Sequence, residues 1–242
     1  MNEALAYVVA QRMERTAAAL RKNNMEAYCV KTADEVVPLV KTLLAEGATV
    51  GAGGSMTLEE CGVMDLLRSG AYHFLDRGAP GLTPEDIGKI YRQIFSADCY
   101  FASANAVTEA GEILNVDGNA NRVAAITFGP ASVILVVGCN KIVRDIPAAV
   151  IRVKRRSAPA NVARLRCDTP CAKTGKCQTS FLQNALRRYR PVRKLPKPRP
   201  HLLHIRAAPL PARAGPHQGH PRGPGAGLLN PNLNGKKSAC FS

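Results

Sequence analysis

Polar side chains suited to holding a small ligand are concentrated between Asn105 and Arg122. A carboxylate beside amides and a guanidinium can orient a hydroxy acid or a sugar, and Arg can pair with a carboxylate through two hydrogen bonds. Asn and Asp are also common in turns because their side chains bond their own backbone, so any one of these residues can be a turn residue. A turn needs about two of them, and this run supplies more. We therefore expect a ligand site, whose polar members are Asn105, Thr108, Glu109, Asn115, Asp117, Asn119, Asn121 and Arg122.

A second candidate is the glycine-rich segment Gly51–Thr57, which precedes a predicted helix. Backbone amides exposed at such a turn can hold a phosphate, a carboxylate or a ribose hydroxyl. The spacing matches neither the P-loop nor the dinucleotide-binding pattern. The alternative is that Thr57 and Glu60 only form a capping box and the glycines only permit a tight turn. The candidate ligand-binding residues of this segment are Gly53, Gly54, Ser55 and Thr57.

Three cysteines, Cys167, Cys171 and Cys177, follow one another in a loop-like stretch with nearby lysines. Thiolates in such a setting can bind a metal. The set lacks both a Cys-x-x-Cys pair and a nearby histidine, so reduced loop thiols are the alternative. Cys171 and Cys177 are the candidate metal ligands of this stretch.

The basic charge of the chain belongs to its C-terminal part. The net charge is +15, yet residues 178–242 contain 12 Lys and Arg and no acidic residue, while residues 1–177 contain 21 Lys and Arg against 18 Asp and Glu. A basic, proline-rich stretch of this kind is expected to be disordered and to bind nucleic acid only non-specifically. No apolar run is long enough for a membrane span, and we expect a soluble, cytoplasmic protein.

Alternating helix and strand patterns predict an α/β fold with a largely parallel sheet flanked by helices. Residues 1–23 have helical apolar spacing, and Thr32 with Glu35 forms a predicted capping box at the next helix. Residues 107–116 predict a β-hairpin turning at Gly111. The continuous Val, Ile and Leu run 133–137 predicts a strand buried on both faces. The order of strand, glycine turn and helix around Gly51–Thr57 fits this α/β pattern.

Several ordered motifs in the first 177 residues resemble the LUD-domain family, the lactate utilisation proteins of the LutC/YkgG group. The motifs are Gly53-Gly-Ser-Met-Thr-Leu-Glu-Glu60, Asn105-Ala-Val-Thr-Glu109, Asn115-Val-Asp-Gly-Asn-Ala-Asn-Arg-Val-Ala-Ala125, Phe128-Gly-Pro130, Val136-Val-Gly-Cys-Asn-Lys-Ile-Val143, Ala158-Pro-Ala-Asn161 and Thr169-Pro-Cys-Ala-Lys-Thr-Gly-Lys-Cys177.

This resemblance implies a fold akin to the NagB/RpiA/CoA-transferase superfamily, with ligands at loops after the strands. It also implies a role in oxidation of L-lactate to pyruvate beside iron–sulfur and oxidoreductase partner proteins. Whether this chain is itself an enzyme is left open, as is its cofactor, an iron–sulfur cluster being possible in intact family members. For the site, we expect Arg122 to pair with a ligand carboxylate and Lys141 to be a further ligand-binding candidate. Glu109 or Asp117 would be the catalytic group.

The resemblance ends near Cys177, where Ser180 stands in place of an expected second cysteine and an Arg- and Pro-rich sequence begins. We therefore predict a LUD-like α/β domain at 1–177 that lacks its terminal strand, and a separate tail at 178–242. A shifted reading frame near residue 178 would explain the simultaneous loss of acids and of family pattern. Resequencing the gene tests this hypothesis, because one of the alternative frames should restore the cysteine and strand pattern.

Three functions remain in competition. The first is a lactate utilisation protein that binds a small hydroxy or keto acid, or a related anionic ligand. The second is an isomerase or CoA-transferase-like enzyme on the same fold, with Glu109 or Asp117 as base or nucleophile. The third is non-specific nucleic-acid binding by the basic tail.

Overall fold

The computed structural model describes residues 3–178 and 237–241. Most of the predicted tail, 178–242, therefore lies outside the described residues. The prediction that the tail is disordered concerns those residues and stays a prediction. Within the described part, the fold is α/β with a mostly parallel sheet flanked by helices. This is the class that the alternation of apolar patterns predicts.

The helices precede, connect and follow the strands, as expected for an α/β fold. The α-helices are α1 (Glu3–Lys22), α2 (Val36–Leu43), α3 (Met56–Glu60), α4 (Val63–Arg68), α5 (Pro84–Gln93), α6 (Asn121–Thr127), α7 (Ile146–Arg152), α8 (Ala158–Arg164) and α9 (Pro170–Thr174). Short 3-10 helices span Ala33–Glu35, Ile94–Ser96 and Cys139–Lys141, and a π-helical turn, Val153–Ser157, joins α7 to α8.

The strands form one large sheet and one small sheet. They are β1 (Glu26–Cys29), β2 (Thr49–Ala52), β3 (His73–Leu75), β4 (Cys99–Ala102), β5 (Ala106–Thr108), β6 (Ile113–Leu114), β7 (Ser132–Val137), β8 (Ile142–Val143) and β9 (Lys237–Phe241). The large sheet has the order β1-β9-β7-β4-β2-β3, and all of its neighbouring strands are parallel. The small sheet has the order β6-β5-β8.

Strand β7 shows why the large sheet is a core element. Its alternate residues enter two different apolar clusters, with Leu135 on the side of α1 and Val136 on the side of α2 to α4. The continuous apolar run predicted a strand buried on both faces, and this prediction is confirmed. Burial of each large apolar side chain contributes about 1.5–3 kcal/mol, so residues such as Phe101 and Leu20, which have no exposed surface, anchor the two layers.

The strand between β1 and β7 comes from residues 237–241. The sequence predicts instead that the domain lacks a terminal strand. In the structure, residues 237–241 take this position, and they lie beyond the domain boundary predicted at residue 177. The boundary itself stays a prediction.

The predicted hairpin is present as antiparallel β5 and β6. Gly111 has a φ of +81°, in the left-handed region that favours glycine. An added Cβ there would lie 2.8 Å from the backbone carbon of Ala19 in α1. The turn therefore needs glycine both for its backbone conformation and for its contact with α1.

The capping box predicted at Thr32 is wrong. Thr32 makes no capping hydrogen bond with its side chain, and Glu35 instead accepts from the amide of Lys31, because the chain enters α2 through a 3-10 turn. A capping box does form at α5, where Thr83 accepts from the Asp86 amide and the Asp86 carboxylate accepts from the Thr83 amide.

No helix in the described ranges is both long and apolar enough to cross a membrane.

Candidate functional site

A cleft of about 470 Å³ opens where β2, β4 and β7 end. These three strands are neighbours in the parallel sheet, and their carboxyl ends share one edge, which is where ligands bind in open α/β sheets. The loops after these strands, the polar run and one face of the α7–α8 segment line the cleft. The lining residues that carry polar side chains are Ser55, Thr57, Glu60, Ser103, Asn105, Asp117, Arg122, Asn140, Lys141, Arg152, Arg156, Ser157, Asn161 and Arg164.

The cleft carries an excess of positive charge. Five basic side chains line it, against the two carboxylates of Glu60 and Asp117. Since a cleft lined mainly by one sign of charge attracts ligands of the opposite sign, the arrangement favours an anion.

The glycine segment forms one wall of the cleft. Its amide at Gly53 donates to the Phe101 carbonyl at 2.8 Å, which ties the loop to β4. A Cβ at Gly53 would lie 3.0 Å from the Tyr100 hydroxyl, and one at Gly54 would lie 2.8 Å from Arg77 Nη2. The glycines therefore allow side chains from other elements to approach the loop backbone closely.

Lys141 lies in the cleft between two of its loops. Its Nζ donates to Thr57 Oγ1 at 2.8 Å and to Ser103 Oγ at 2.7 Å. Burial lowers the pKa of Lys141 to about 8, and the positive charge of Arg152 adds to this effect. The amine is therefore much easier to deprotonate than an ordinary lysine.

Arg122 organises the polar run from within. Its Nη1 donates to the Ser103 carbonyl (3.1 Å) and to Asn115 Oδ1 (2.8 Å). Its Nη2 donates to Asn105 Oδ1 (3.0 Å) and to the Val116 carbonyl (2.8 Å). All four N–H groups of the two terminal nitrogens are thus used within the protein. Burial lowers the pKa of Arg122.

The same geometry bears on the predicted roles of Arg122 and Asp117. Arg122 could pair with a ligand carboxylate only by giving up some of these bonds. The Asp117 carboxylate accepts from the amides of Arg122 (2.9 Å) and Val123 (3.2 Å) at the start of α6. Ala120, just before that helix, has a φ of +61°. Both side chains line the cleft, while most of their hydrogen bonds fix the loop that forms its wall.

Three arginines of the α7–α8 segment supply the cationic rim. Arg152 donates through Nη1 to the Asn105 carbonyl and to Ser157 Oγ, and through Nε to the Asn140 carbonyl at 3.2 Å. Arg156 is exposed at the cleft. Arg164 donates to Asn161 Oδ1 at 2.8 Å. The π-helical turn lies between Arg152 and α8. Such turns within helices are often found at functional sites.

Some predicted site residues do not line the cleft. Glu109 forms an ion pair with Arg12 at 2.8 Å, against α1. Thr108 is buried and donates to the Glu112 carboxylate at 2.9 Å. Asn115 is fully buried, with its Nδ2 lacking a hydrogen-bond partner among the described atoms. The predicted residues outside the lining are Thr108, Glu109, Asn115, Asn119 and Asn121, and those within it are Gly53, Gly54, Ser55, Thr57, Asn105, Asp117, Arg122 and Lys141.

Sequence reasoning missed several residues of the lining. Ser103 follows a buried strand directly, which is a position where ligand-binding residues are expected. Arg152 and Arg156 are four residues apart, a spacing that places two side chains on one face of a helix. These two signals could have identified the serine and the first part of the basic rim.

The three cysteines of the stretch, Cys167, Cys171 and Cys177, do not line the cleft. Cys171 is buried, and its Sγ is 3.3 Å from Thr169 Oγ1. Between residues 3 and 178, no group of three His, Cys, Asp or Glu side chains is arranged to hold a metal ion.

One comparison with known proteins shows the family of the chain. A family model described as LUD domain matches residues 13–187. The chain is also similar to a crystal structure described as a DUF162 family protein from Deinococcus radiodurans, with 17% identity and a TM-score of 0.43 over 63% of this chain and 82% of that chain. No curated protein matches the chain.

Proposed function

This chain belongs to the LUD-domain family, and on that premise we propose that it binds a small hydroxy or keto acid in the oxidation of L-lactate to pyruvate. The observation that carries the proposal is the excess of cationic side chains around a cleft at the carboxyl edge of the sheet. Lactate and pyruvate each carry one carboxylate and one neighbouring oxygen. Arginines of the rim suit the carboxylate, and the hydroxyls near Lys141 suit the second oxygen.

The ligand carboxylate is assigned to the rim rather than to Arg122. Arg156 is exposed at the cleft, whereas the terminal nitrogens of Arg122 already donate to four protein acceptors. Arg122 would act by holding Asn105 and the Val116 carbonyl in place. The amides of the loop at Gly53 and Gly54 stay candidates for a ligand oxygen.

Oxidation of lactate removes two electrons, and the side chains of the cleft are not electron acceptors. We therefore propose that the protein works with iron–sulfur and oxidoreductase partner proteins, as resemblance to lactate utilisation proteins implies. A cytoplasmic location is part of this proposal.

A second candidate is an isomerase or CoA-transferase-like enzyme on a NagB/RpiA-like fold. Two side chains that line the cleft favour this candidate. Asp117 offers a carboxylate for proton transfer, and Lys141 offers an amine whose pKa is lowered. Conversion of a sugar phosphate or of a CoA ester by the isolated chain would support this candidate over a binding function. Glu109 is held by Arg12 and is the weaker candidate for a catalytic base.

Calorimetry on the full chain tests the proposed function. L-lactate and pyruvate should bind, and a sugar phosphate and a CoA ester serve as competing ligand classes. We expect Arg156→Gln to weaken binding by about tenfold, since a charged hydrogen bond contributes about 1.5–3 kcal/mol and exposure reduces this.

Arg155→Gln is the matched control for this experiment. Arg155 is an exposed arginine on the same π-helical turn, and it does not line the cleft. Its replacement should leave the affinity unchanged. Equal loss of affinity in both variants, or no binding of either acid to the wild-type chain, would contradict the proposal.

A further inference from the structure

The position of Lys141 within the cleft differs from that of an ordinary anion-binding lysine. Its Nζ is held by two hydroxyls that come from different loops, Thr57 after β2 and Ser103 after β4. Both partners are almost fully buried, with 8% and 7% of their surface exposed. Among the described residues, no carboxylate forms an ion pair with this amine. The amine is thus fixed in position by two neutral hydroxyls and not by an ion pair.

The charges around Lys141 favour its neutral form. Burial has the largest effect, and the guanidinium groups of Arg152 and Arg122 act in the same direction, while Glu60 opposes them. With a pKa of about 8, about a tenth of the amine is neutral at pH 7, far more than for an ordinary lysine. Burial and neighbouring cations are the means by which proteins activate lysine as a nucleophile toward carbonyl groups.

We propose that Lys141 forms an imine with the keto carbon of a 2-oxo acid bound in the cleft. This inference rests on the proposed function, and it selects the oxidised member of the lactate and pyruvate pair as the ligand that reacts. A hydroxy acid has no carbonyl group and can bind there only without condensing.

The chemistry balances within the cleft. The Nζ lone pair forms a bond to the keto carbon, and the carbonyl π electrons move to oxygen, which takes up a proton while nitrogen loses one. The resulting carbinolamine then loses its hydroxyl group and the remaining nitrogen proton as water, which leaves a carbon–nitrogen double bond. Thr57 and Ser103 are placed to relay these protons, because their hydroxyl oxygens lie 2.8 and 2.7 Å from Nζ. The carboxylate of the acid would face the arginine rim.

Reductive trapping on the full chain tests the proposal. Pyruvate and borohydride are added together, and peptide mass mapping locates any lysine that gains one reduced pyruvate unit. We expect the adduct on Lys141, its loss in Lys141→Arg and its retention in Lys41→Arg, which replaces an exposed lysine of α2. Excess L-lactate should suppress trapping, and L-lactate alone should give no adduct.

The outcomes separate this inference from the proposed function. If calorimetry detects pyruvate binding and no adduct forms on Lys141, the imine is refuted while the binding function stands. Adducts spread evenly over exposed lysines would also refute it. If neither acid binds and none is trapped, both proposals fail. Should Lys141→Arg not fold, suppression of the wild-type adduct by excess lactate provides the same discrimination.

Discussion

Replacing Arg122 with methionine tests whether this side chain is the structural centre of the polar run. The substitution keeps most of the side-chain volume and removes four hydrogen bonds of a cation whose side chain is 18% exposed. It also removes the N–H group that donates to Oδ1 of the buried Asn115. The Nδ2 of the same side chain already lacks a partner among the described atoms. Each bond from a charged donor contributes about 1.5–3 kcal/mol, and these contributions do not add fully.

The expected loss of unfolding free energy for Arg122→Met is about 3–5 kcal/mol, the range seen when one partner of a buried charged network is removed. With a urea dependence of about 2 kcal/mol per molar, this lowers the unfolding midpoint by about 1.5–2.5 M. Urea unfolding followed by circular dichroism measures this shift. Arg155→Met, at an exposed position of the π-helical turn, is the control and should stay within about 0.5 kcal/mol of wild type.

Two results would refute this reasoning about Arg122. A midpoint within about 0.5 M of wild type, at an unchanged slope, would mean that the network stabilises the fold little. Retained stability together with lost affinity for lactate or pyruvate would instead make Arg122 a ligand-binding arginine, as the sequence predicts.

Three further changes test the fold and the site. Gly111→Ala should cost about 2–4 kcal/mol of unfolding free energy, because the new side chain meets both a positive φ and the backbone of α1. Gly47→Ala, at a φ of +69° with open space around it, should cost only about 1–2 kcal/mol. Thermal unfolding of both variants measures the difference. Thr83→Ala removes the capping box of α5 and should cost about 1 kcal/mol in urea unfolding, and a loss below 0.3 kcal/mol would contradict the cap. The folded pKa of Lys141 lies below its usual 10.5, so the unfolded chain binds more protons between about pH 8 and 10.5. The unfolding free energy of wild type relative to Lys141→Met should therefore rise with pH across that window and stay constant below it. Unfolding midpoints of both proteins at several pH values measure this. A difference between the two midpoints that does not change with pH would mean that the pKa of Lys141 is normal.

The regular elements were predictable because their signals are local. The apolar run of β7 and the glycine at the hairpin turn each require one structure, and the structure has it. The cap at Thr32 failed because a Thr and a Glu three residues apart form a box only where an α-helix starts directly, and a 3-10 turn intervenes there. The same kind of pattern at Thr83 precedes an α-helix directly and does form the box.

The site was only partly predictable because side-chain direction in irregular loops depends on distant partners. The composition of the run identified Asn105 and Asp117, which do line the cleft. Glu109 belongs to the same run but turns away toward Arg12, 97 residues earlier in the chain. The cationic rim depends on a helix whose regular winding is interrupted, and apolar spacing alone does not reveal such an interruption.

The π-helical turn Val153–Ser157 also affects how relatives of this chain should be aligned. A π turn holds one residue more than an α turn, and each residue of a helix accounts for a rotation of about 100°. The face that α8 presents to the cleft is therefore set by the number of residues before it as well as by their identity. A relative with one residue fewer in this stretch would turn Asn161 and Arg164 away from the cleft, and its lining would change as much as it would by two substitutions. Alignments that pass through the turn without allowing such a gap would compare residues that do not occupy equivalent positions.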